Sequence, residues 1–508
     1  MTDWSSELVS AGLDPDPGIT GVTPPAPTVD GVPARRASRS VLAVFVLRVA
    51  TATCGLAVTV VLARHLGPAR FGELSLILTV AILVSSIAEL GTTSVVAAEM
   101  AAHPERRRQL AAGVVVLRSG VGAVLAVAGA LLLVMTLDRT EARWAAAAVL
   151  ATVPLAGLSA LAVLAQARLR PEVGAALSLG QSAAWLVAVV LVAAAGADLA
   201  VVGAAFLASI AGQAAATWLV VARRERPAWG AWGPAVHWTL AHSWPLAVAA
   251  VLGAAYYRLD VILVYQLQGA AEAGLYGAAY RFLDVSQLVP LAVVSVLLPL
   301  LARRWAVADR VGFEAAVRLG VTASAAVGGL LTAGAVVCGD RVALAVLGAG
   351  FDPSGDVLRI LGPVVFSLAT GYVYAAALIA SGDVKVVGLT SAVALLVSVA
   401  AGVPAISAWG AVGAAWVTVG SEFLVSTTLG VWLHRRHRLR FPWDRVRGTL
   451  GAAAVLAGVG WPLRGLPVVL LLAVCVTAYC AAAARFGAVT GDDVRALAHR
   501  TLALGGTG

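Results

Sequence analysis

The sequence predicts an all-α fold: a polytopic membrane protein of about fourteen transmembrane helices, set out as two pseudo-symmetric six-helix lobes plus two C-terminal helices. Three observations lead there. Apolar residues make up 60% of the chain and charged residues only 12%, about half the usual share of a globular protein; the mean hydropathy is +0.90. Apolar runs of about 20 residues recur along almost the whole length, each long enough to cross the hydrocarbon core. In lipid such a run satisfies its own backbone hydrogen bonds only as a helix. Finally, basic residues crowd alternate loops.

Residues 1–38 are rich in Pro, Asp and Gly and read as a disordered cytoplasmic tail. The first apolar run starts near Val41, is too long for a signal peptide's core and lacks a cleavage motif. Spans 1 to 14 then run 40–63, 72–98, 110–136, 144–166, 173–196, 199–222, 240–266, 275–301, 315–338, 357–380, 386–406, 410–433, 449–464 and 467–485. Spans 1–6 (40–222) form an N-lobe and spans 7–12 (240–433) a C-lobe. Spans 13 and 14 (449–485) are short, and 486–508 is a second cytoplasmic tail.

With the N-terminus inside, the inner loops carry Arg106, Arg107 and Arg108; Arg168 and Arg170; Arg223, Arg224 and Arg226; Arg303, Arg304 and Arg310; Lys385; and Arg435, Arg436, Arg438, Arg440, Arg445 and Arg447. The outer loops carry little beyond Arg64, Arg70, Arg139, Arg143, Arg341 and Arg464. That alternation supports both the helix count and inside termini. It also accounts for the net charge of +9 without a nucleic-acid partner. Trp144, Trp238, Trp244, Trp305, Trp409 and Trp432 fall at span ends, as interfacial aromatics should. The longest outside loop, 339–355, is too short to fold as a catalytic domain, so no enzyme and no cofactor are expected. Cys54, Cys338, Cys475 and Cys480 lack metal-ligand spacing and read as small core residues; no metal site is expected.

An internal echo supports the two lobes. After span 1 the chain reads Leu66-Gly67-Pro68-Ala69-Arg70-Phe71-Gly72, and after span 7 Gln268-Gly269-Ala270-Ala271-Glu272-Ala273-Gly274. Each has two glycines five apart, a tight outside turn into the next helix. The offset is six helices, so both copies share one orientation, the plan of parallel-repeat transporters with a substrate site between lobes.

Charged side chains inside a span cost about 2.5–3.5 kcal/mol each on insertion scales and therefore face a bundle interior or a cavity. Arg48 lies in span 1, Glu89 in span 2, Arg118 in span 3, Arg258 and Asp260 in span 7, Arg281 and Asp284 in span 8, and Glu422 in span 12. The four arginines are the candidate substrate-binding residues: guanidinium groups match the oxygen faces of a pyrophosphate and stay charged at any pH. Arg281 and Asp284 are three apart and are equally placed to pair with each other. Arg258 and Asp260 are two apart, so each needs a partner on another helix. Arg48 sits too deep for easy snorkelling, whereas Arg118 lies nearer the inner face, where snorkelling is open to it. Glu89, Asp260, Asp284 and Glu422 are candidates for carrying a coupling proton or Na⁺, or for lining the cavity. Pro154, Pro245, Pro290, Pro363 and Pro404 interrupt spans or lie near their ends.

The run Tyr256-Tyr257-Arg258-Leu259-Asp260-Val261-Ile262-Leu263, followed by Ala273-Gly274-Leu275-Tyr276-Gly277-Ala278-Ala279-Tyr280-Arg281, resembles the signature of the polysaccharide-transporter family. These are the O-antigen and exopolysaccharide flippases of the multidrug/oligosaccharidyl-lipid/polysaccharide exporter superfamily. The hairpin from Arg64 to Leu76 is similar to that family's N-terminal motif. Weaker echoes are Ala349-Gly350-Phe351, Leu358-Arg359-Ile360-Leu361, Ser381-Gly382-Asp383 and Gly410-Ala411-Val412-Gly413-Ala414-Ala415. The resemblance covers 40–435 and leaves the N-terminal tail outside the pattern.

It implies lobes that rock about a central cationic cavity. The cargo would be an undecaprenyl-pyrophosphate-linked oligosaccharide, flipped from the inner to the outer leaflet of a bacterial cell membrane. A polysaccharide polymerase or glycosyltransferases would be its partners. No phosphate-binding glycine loop of the P-loop kind is present, so ion gradients, membrane potential or consumption of product would supply the energy. A multidrug antiporter of the same superfamily would favour acids over arginines in the cavity. A lipid II flippase shares the helix count but not the span 7 signature, and a membrane glycosyltransferase would carry a larger outside loop.

Overall fold

The computed structural model describes residues 34–167, 171–223 and 226–488. Residues 1–33 and 489–508 of the two tails lie outside the described residues, as do Arg168, Arg170 and Arg224 of the basic loops. The first helix starts at Ala34, so 34–38 belong to it. All regular structure among the described residues is helical.

Eleven helical stretches among the described residues are long and apolar enough to cross a membrane. Two of them, Ala43–Ala102 and Val384–His437, are 60 and 54 residues long. As straight rods they would measure about 80–90 Å, against a hydrocarbon core of about 30 Å, so each must turn. They turn at Gly67 (φ 71°, ψ 172°) and Gly410 (φ 56°, ψ −136°). Dividing both and adding Trp443–Gly460 brings the spans among the described residues to fourteen.

Gly67 has a counterpart in Gly269 (φ 86°, ψ −177°), which separates span 7 from span 8. Both occupy a region of backbone space essentially reserved for glycine. The sequence echo is thus a repeated backbone turn. These turns gather at one end of the bundle, here the glycine-turn end; the loops named above for their arginines lie at the other.

Several spans are broken within the bundle. Span 2 breaks at Leu90 (φ 51°) and Gly91 (φ 63°) and resumes as Thr92–Ala102. Span 8 consists of Ala270–Ser286 and Leu288–Ala306. The cause is Pro290, which has no N–H to offer the Ser286 carbonyl. The segment 339–355, expected as the longest loop, is instead mostly helix: one helix runs to Leu347 and the next begins at Asp352. Ala343, Leu347 and Phe351 are buried there, so the segment packs rather than projecting into water.

Packing follows the lobes, with two exceptions. The core of spans 1–6 continues into Leu275, Leu347 and Phe351 of the C-lobe, which ties the lobes together at the glycine-turn end. At the arginine-rich end, the first half of the helix Trp232–Gln268 lies on the N-lobe. Gly113 abuts Ala235, Gly91 abuts Leu246, and the Arg106 guanidinium sits 5.2 Å from the Trp238 ring. Spans 13 and 14 pack on span 9 through Val337, Leu456, Leu471 and Tyr479, whose hydroxyl donates to the Ala326 carbonyl at 2.6 Å.

Candidate functional site

The eight charged residues singled out inside the spans fall into four places. The first is a cluster joining spans 7 and 8. Arg258 donates to both oxygens of Asp284, at 3.2 and 3.3 Å, and Arg281 donates to the same carboxylate at 3.4 Å. The Arg258 guanidinium also lies 5.7 Å from the Tyr280 ring centre. One acid therefore serves two arginines and the cluster keeps a net charge of about +1. These side chains retain 19–30% exposure although they sit deep in the spans. They are therefore not sealed within the protein core.

The second place is a small cavity among spans 7, 8, 11 and 12, lined by Tyr256, Tyr257, Asp260, Tyr280, Thr418 and Glu422. Its volume of about 30 Å³ is room for one water molecule. Asp260 accepts from the Val261 N–H at 2.8 Å through one oxygen and from the Tyr276 hydroxyl through the other. Tyr276, fully buried, also touches the Thr418 hydroxyl at 3.0 Å. The Tyr256 hydroxyl faces Ser421 and Glu422 and is left without a hydrogen bond of good geometry. An orphaned buried hydroxyl beside a buried acid marks a place where a small polar guest would fit.

The third place is the break in span 2. Arg118 does not snorkel: it donates to Thr92 and Thr93 at 2.7 Å each and to Glu89 at 3.4 Å. Glu89 also accepts from the Thr93 hydroxyl at 2.6 Å. Arg118 thus holds together a helix interrupted by two left-handed residues.

Arg48 occupies the fourth place alone. It is exposed on span 1, among the exposed Phe45, Val46 and Val49, and has no partner among the described residues.

The structure therefore unites Arg258, Arg281 and Asp284, sets Asp260 with Glu422 on one cavity, and keeps Glu89 with Arg118 in the N-lobe. Asp260 needed a partner on another helix, and it is Tyr276, a residue of the span 8 motif. The motif was legible; the hydroxyl's role depended on how spans 7 and 8 face each other. Among the described residues no group of three or more His, Cys, Asp or Glu side chains could hold a metal ion.

Residues 37–305, more than half of the chain, match the family of polysaccharide biosynthesis proteins. Among curated proteins none matches the sequence. Among solved structures, the fold is similar to the lipid II flippase MurJ in an inward closed conformation, with a TM-score of 0.74 at 12% identity over 87% of this chain and 98% of that one. An inward-facing multidrug resistance MATE family transporter of the MOP superfamily gives a TM-score of 0.62 at 15% identity, covering 76% of this chain and 94% of that one. A MOP superfamily transporter from Pyrococcus furiosus, described as having a binding pocket of reverse polarity, gives 0.57 at 13% identity over 80% and 96%. At these identities the likeness establishes the fold, that of a polytopic all-α membrane protein.

Proposed function

The chain belongs to the polysaccharide biosynthesis protein family, and from that premise we propose that it flips an undecaprenyl-pyrophosphate-linked oligosaccharide from the inner to the outer leaflet of a bacterial plasma membrane. The arginine-rich end faces the cytoplasm in this reading, following the basic-loop bias. The lobes alternate access to a site between them, and the lipid tail stays in the bilayer.

The observation that carries the proposal is the partly exposed Arg258–Asp284–Arg281 cluster. A diphosphate presents the same paired oxygens as Asp284 with more charge, so it competes for both guanidinium groups. Arg48, without a partner of its own, supplies a further cation on span 1. Arg118 has a structural share in the N-lobe, pinning the span 2 break. Asp260 and Glu422 are the acids placed to take a coupling proton or cation, since both line one small cavity.

The nearest rival is an ion-coupled drug antiporter, which the same two acids would also serve. A lipid II flippase would share the cationic cluster and differ in its sugar. The test is the lipid-linked glycan pool in a strain depleted of this protein, with sidedness probed in vesicles. Build-up of undecaprenyl-linked oligosaccharide on the inner leaflet with loss of surface polymer supports the proposal. An unchanged pool with lost resistance to cationic drugs replaces it with the antiporter. A second arm replaces Arg48 and Arg258 by glutamine: intact surface glycan with normal membrane insertion removes these residues from the cargo site.

A further inference from the structure

The two glycine-turn motifs do more than turn the chain: they hold each other. A Cβ added at Gly72 would overlap the Ala270 carbonyl and lie 2.8 Å from the Gly274 nitrogen. A Cβ added at Gly274 would overlap the Pro68 carbonyl and lie 3.0 Å from the Gly72 nitrogen. Pro68 and Ala270 each follow the turn glycine of their motif, and Gly72 and Gly274 each stand five residues after it. The contact is therefore reciprocal, each motif offering the same residue to the same carbonyl of the other. One turn deeper the pattern continues, with Gly277 set so that its Cβ would fall 3.2 Å from the Ser75 Cβ. Ser75 and Gly277 are again equivalent positions in the two motifs, so this seam lies on the local two-fold axis between the lobes, as an isologous contact must.

Around the seam the lobes meet by other means. Arg64 donates to the Ala345 and Val346 carbonyls at the end of the span 9 helix, at 2.6 and 2.9 Å. Phe71 meets Phe351 edge-on, with ring centres 5.8 Å apart. Small residues let helices in a membrane approach until their backbones touch, and the Cα–H contacts with carbonyl oxygen made there are individually weak. Such a seam closes by fit and separates without rupturing helical hydrogen bonds.

We propose that Gly72 and Gly274 form a clasp that seals the glycine-turn end of the bundle and must part in every transport cycle. The proposal rests on the alternating-access reading above, in which this end faces outward. A side chain at either glycine wedges the clasp open and biases the protein toward the state open at this end. Arg64 and the Phe71–Phe351 pair then lose their partners in the other lobe together.

The test uses the full chain in vesicles, with Cys54, Cys338, Cys475 and Cys480 replaced by alanine and a Ser75→Cys probe placed beneath the clasp. Labelling by a membrane-impermeant thiol reagent should be slow, and about tenfold faster in Gly274→Ala or Gly72→Ala. Gly55→Ala, on span 1 with nothing within 4 Å of its added Cβ, should leave the rate unchanged. Equal labelling in all of them overturns the clasp. Should the glycine variants fail to fold, Phe71→Cys with Phe351→Cys supplies a second measurement. Oxidation should stop export of the lipid-linked glycan and reductant should restore it; continued export with the disulfide formed shows a fixed hinge and overturns the clasp. The labelling assay needs no cargo. Faster labelling with an undisturbed glycan pool therefore sinks the flippase reading and leaves the clasp standing.

Discussion

Replacing Asp284 by asparagine isolates the centre of the cationic cluster. The variant keeps the side chain's shape and removes the charge that Arg258 and Arg281 share. A fully buried pair loses about 3–5 kcal/mol when one partner goes, and an exposed pair about 0–1. With all three side chains 19–30% exposed, solvent screening places the loss between those limits, at about 2 kcal/mol, or thirtyfold in the folding equilibrium. Two facing guanidinium groups also remain without a counter-ion, so a second change, Arg281→Gln, should recover part of the loss. The assay is unfolding in detergent for the wild type, both single variants and the double, completing a mutant cycle. Inorganic diphosphate sharpens it: an anion that replaces the missing carboxylate stabilises Asp284→Asn by about 2.7 kcal/mol at a hundred times its dissociation constant from that variant, and the wild type, where Asp284 competes, by less. A silent Asp284→Asn, or diphosphate that stabilises both proteins equally, refutes the view that this carboxylate stands where an anionic headgroup binds.

Other outcomes follow from single contacts. Arg118→Leu frees Thr92, Thr93 and Glu89 at the span 2 break and should cost about 2–3 kcal/mol, read by detergent unfolding; Arg118→Lys should restore little, since one ammonium cannot reach three acceptors in a fixed fork. Tyr276→Phe removes the hydroxyl that donates to Asp260 and should lower stability by about 1–3 kcal/mol; an altered ion dependence of transport would mark it as a positioning residue, and a stability loss alone would mark it as packing. Asp309 caps the helix Arg310–Leu347 through the Gly312 N–H at 2.8 Å, and that bond, with Arg304 beside it, holds its carboxyl below the usual carboxylate range. Its folded pKa is depressed, so the stabilisation is present at neutral pH and lost as pH falls below about 4. Amide-exchange protection at Gly312 and Phe313, taken relative to the intrinsic rate at each pH, should fall over that range and be low at every pH in Asp309→Ala.

Much of the architecture was legible because the bilayer enforces it. Spans could be drawn from apolar length, and their boundaries blurred only where helices ran on, as at 339–355, where buried Leu347 and Phe351 look in sequence like loop residues. The candidate site was legible as a set of charges and illegible as a set of pairs. Sequence spacing offered Arg281 to Asp284, and the structure adds Arg258 from a neighbouring helix. Arg118 was equally readable as a snorkelling residue, because nothing local announces that Leu90 and Gly91 break span 2 opposite it. Tyr276 and Asp260, sixteen residues apart, meet only because Gly269 folds span 8 back along span 7.

The first half of the Trp232–Gln268 helix carries a consequence for anyone dividing this chain. Its sequence belongs to the second repeat, yet Ala235, Trp238 and Leu246 rest on Gly113, Arg106 and Gly91 of the first. A gene split between spans 6 and 7 would yield an N-terminal fragment with a bare, glycine-lined furrow, and a partner fragment holding the helix that fills it. Two such fragments, co-expressed, have a ready means of finding each other, while either one alone exposes to lipid a surface shaped for protein.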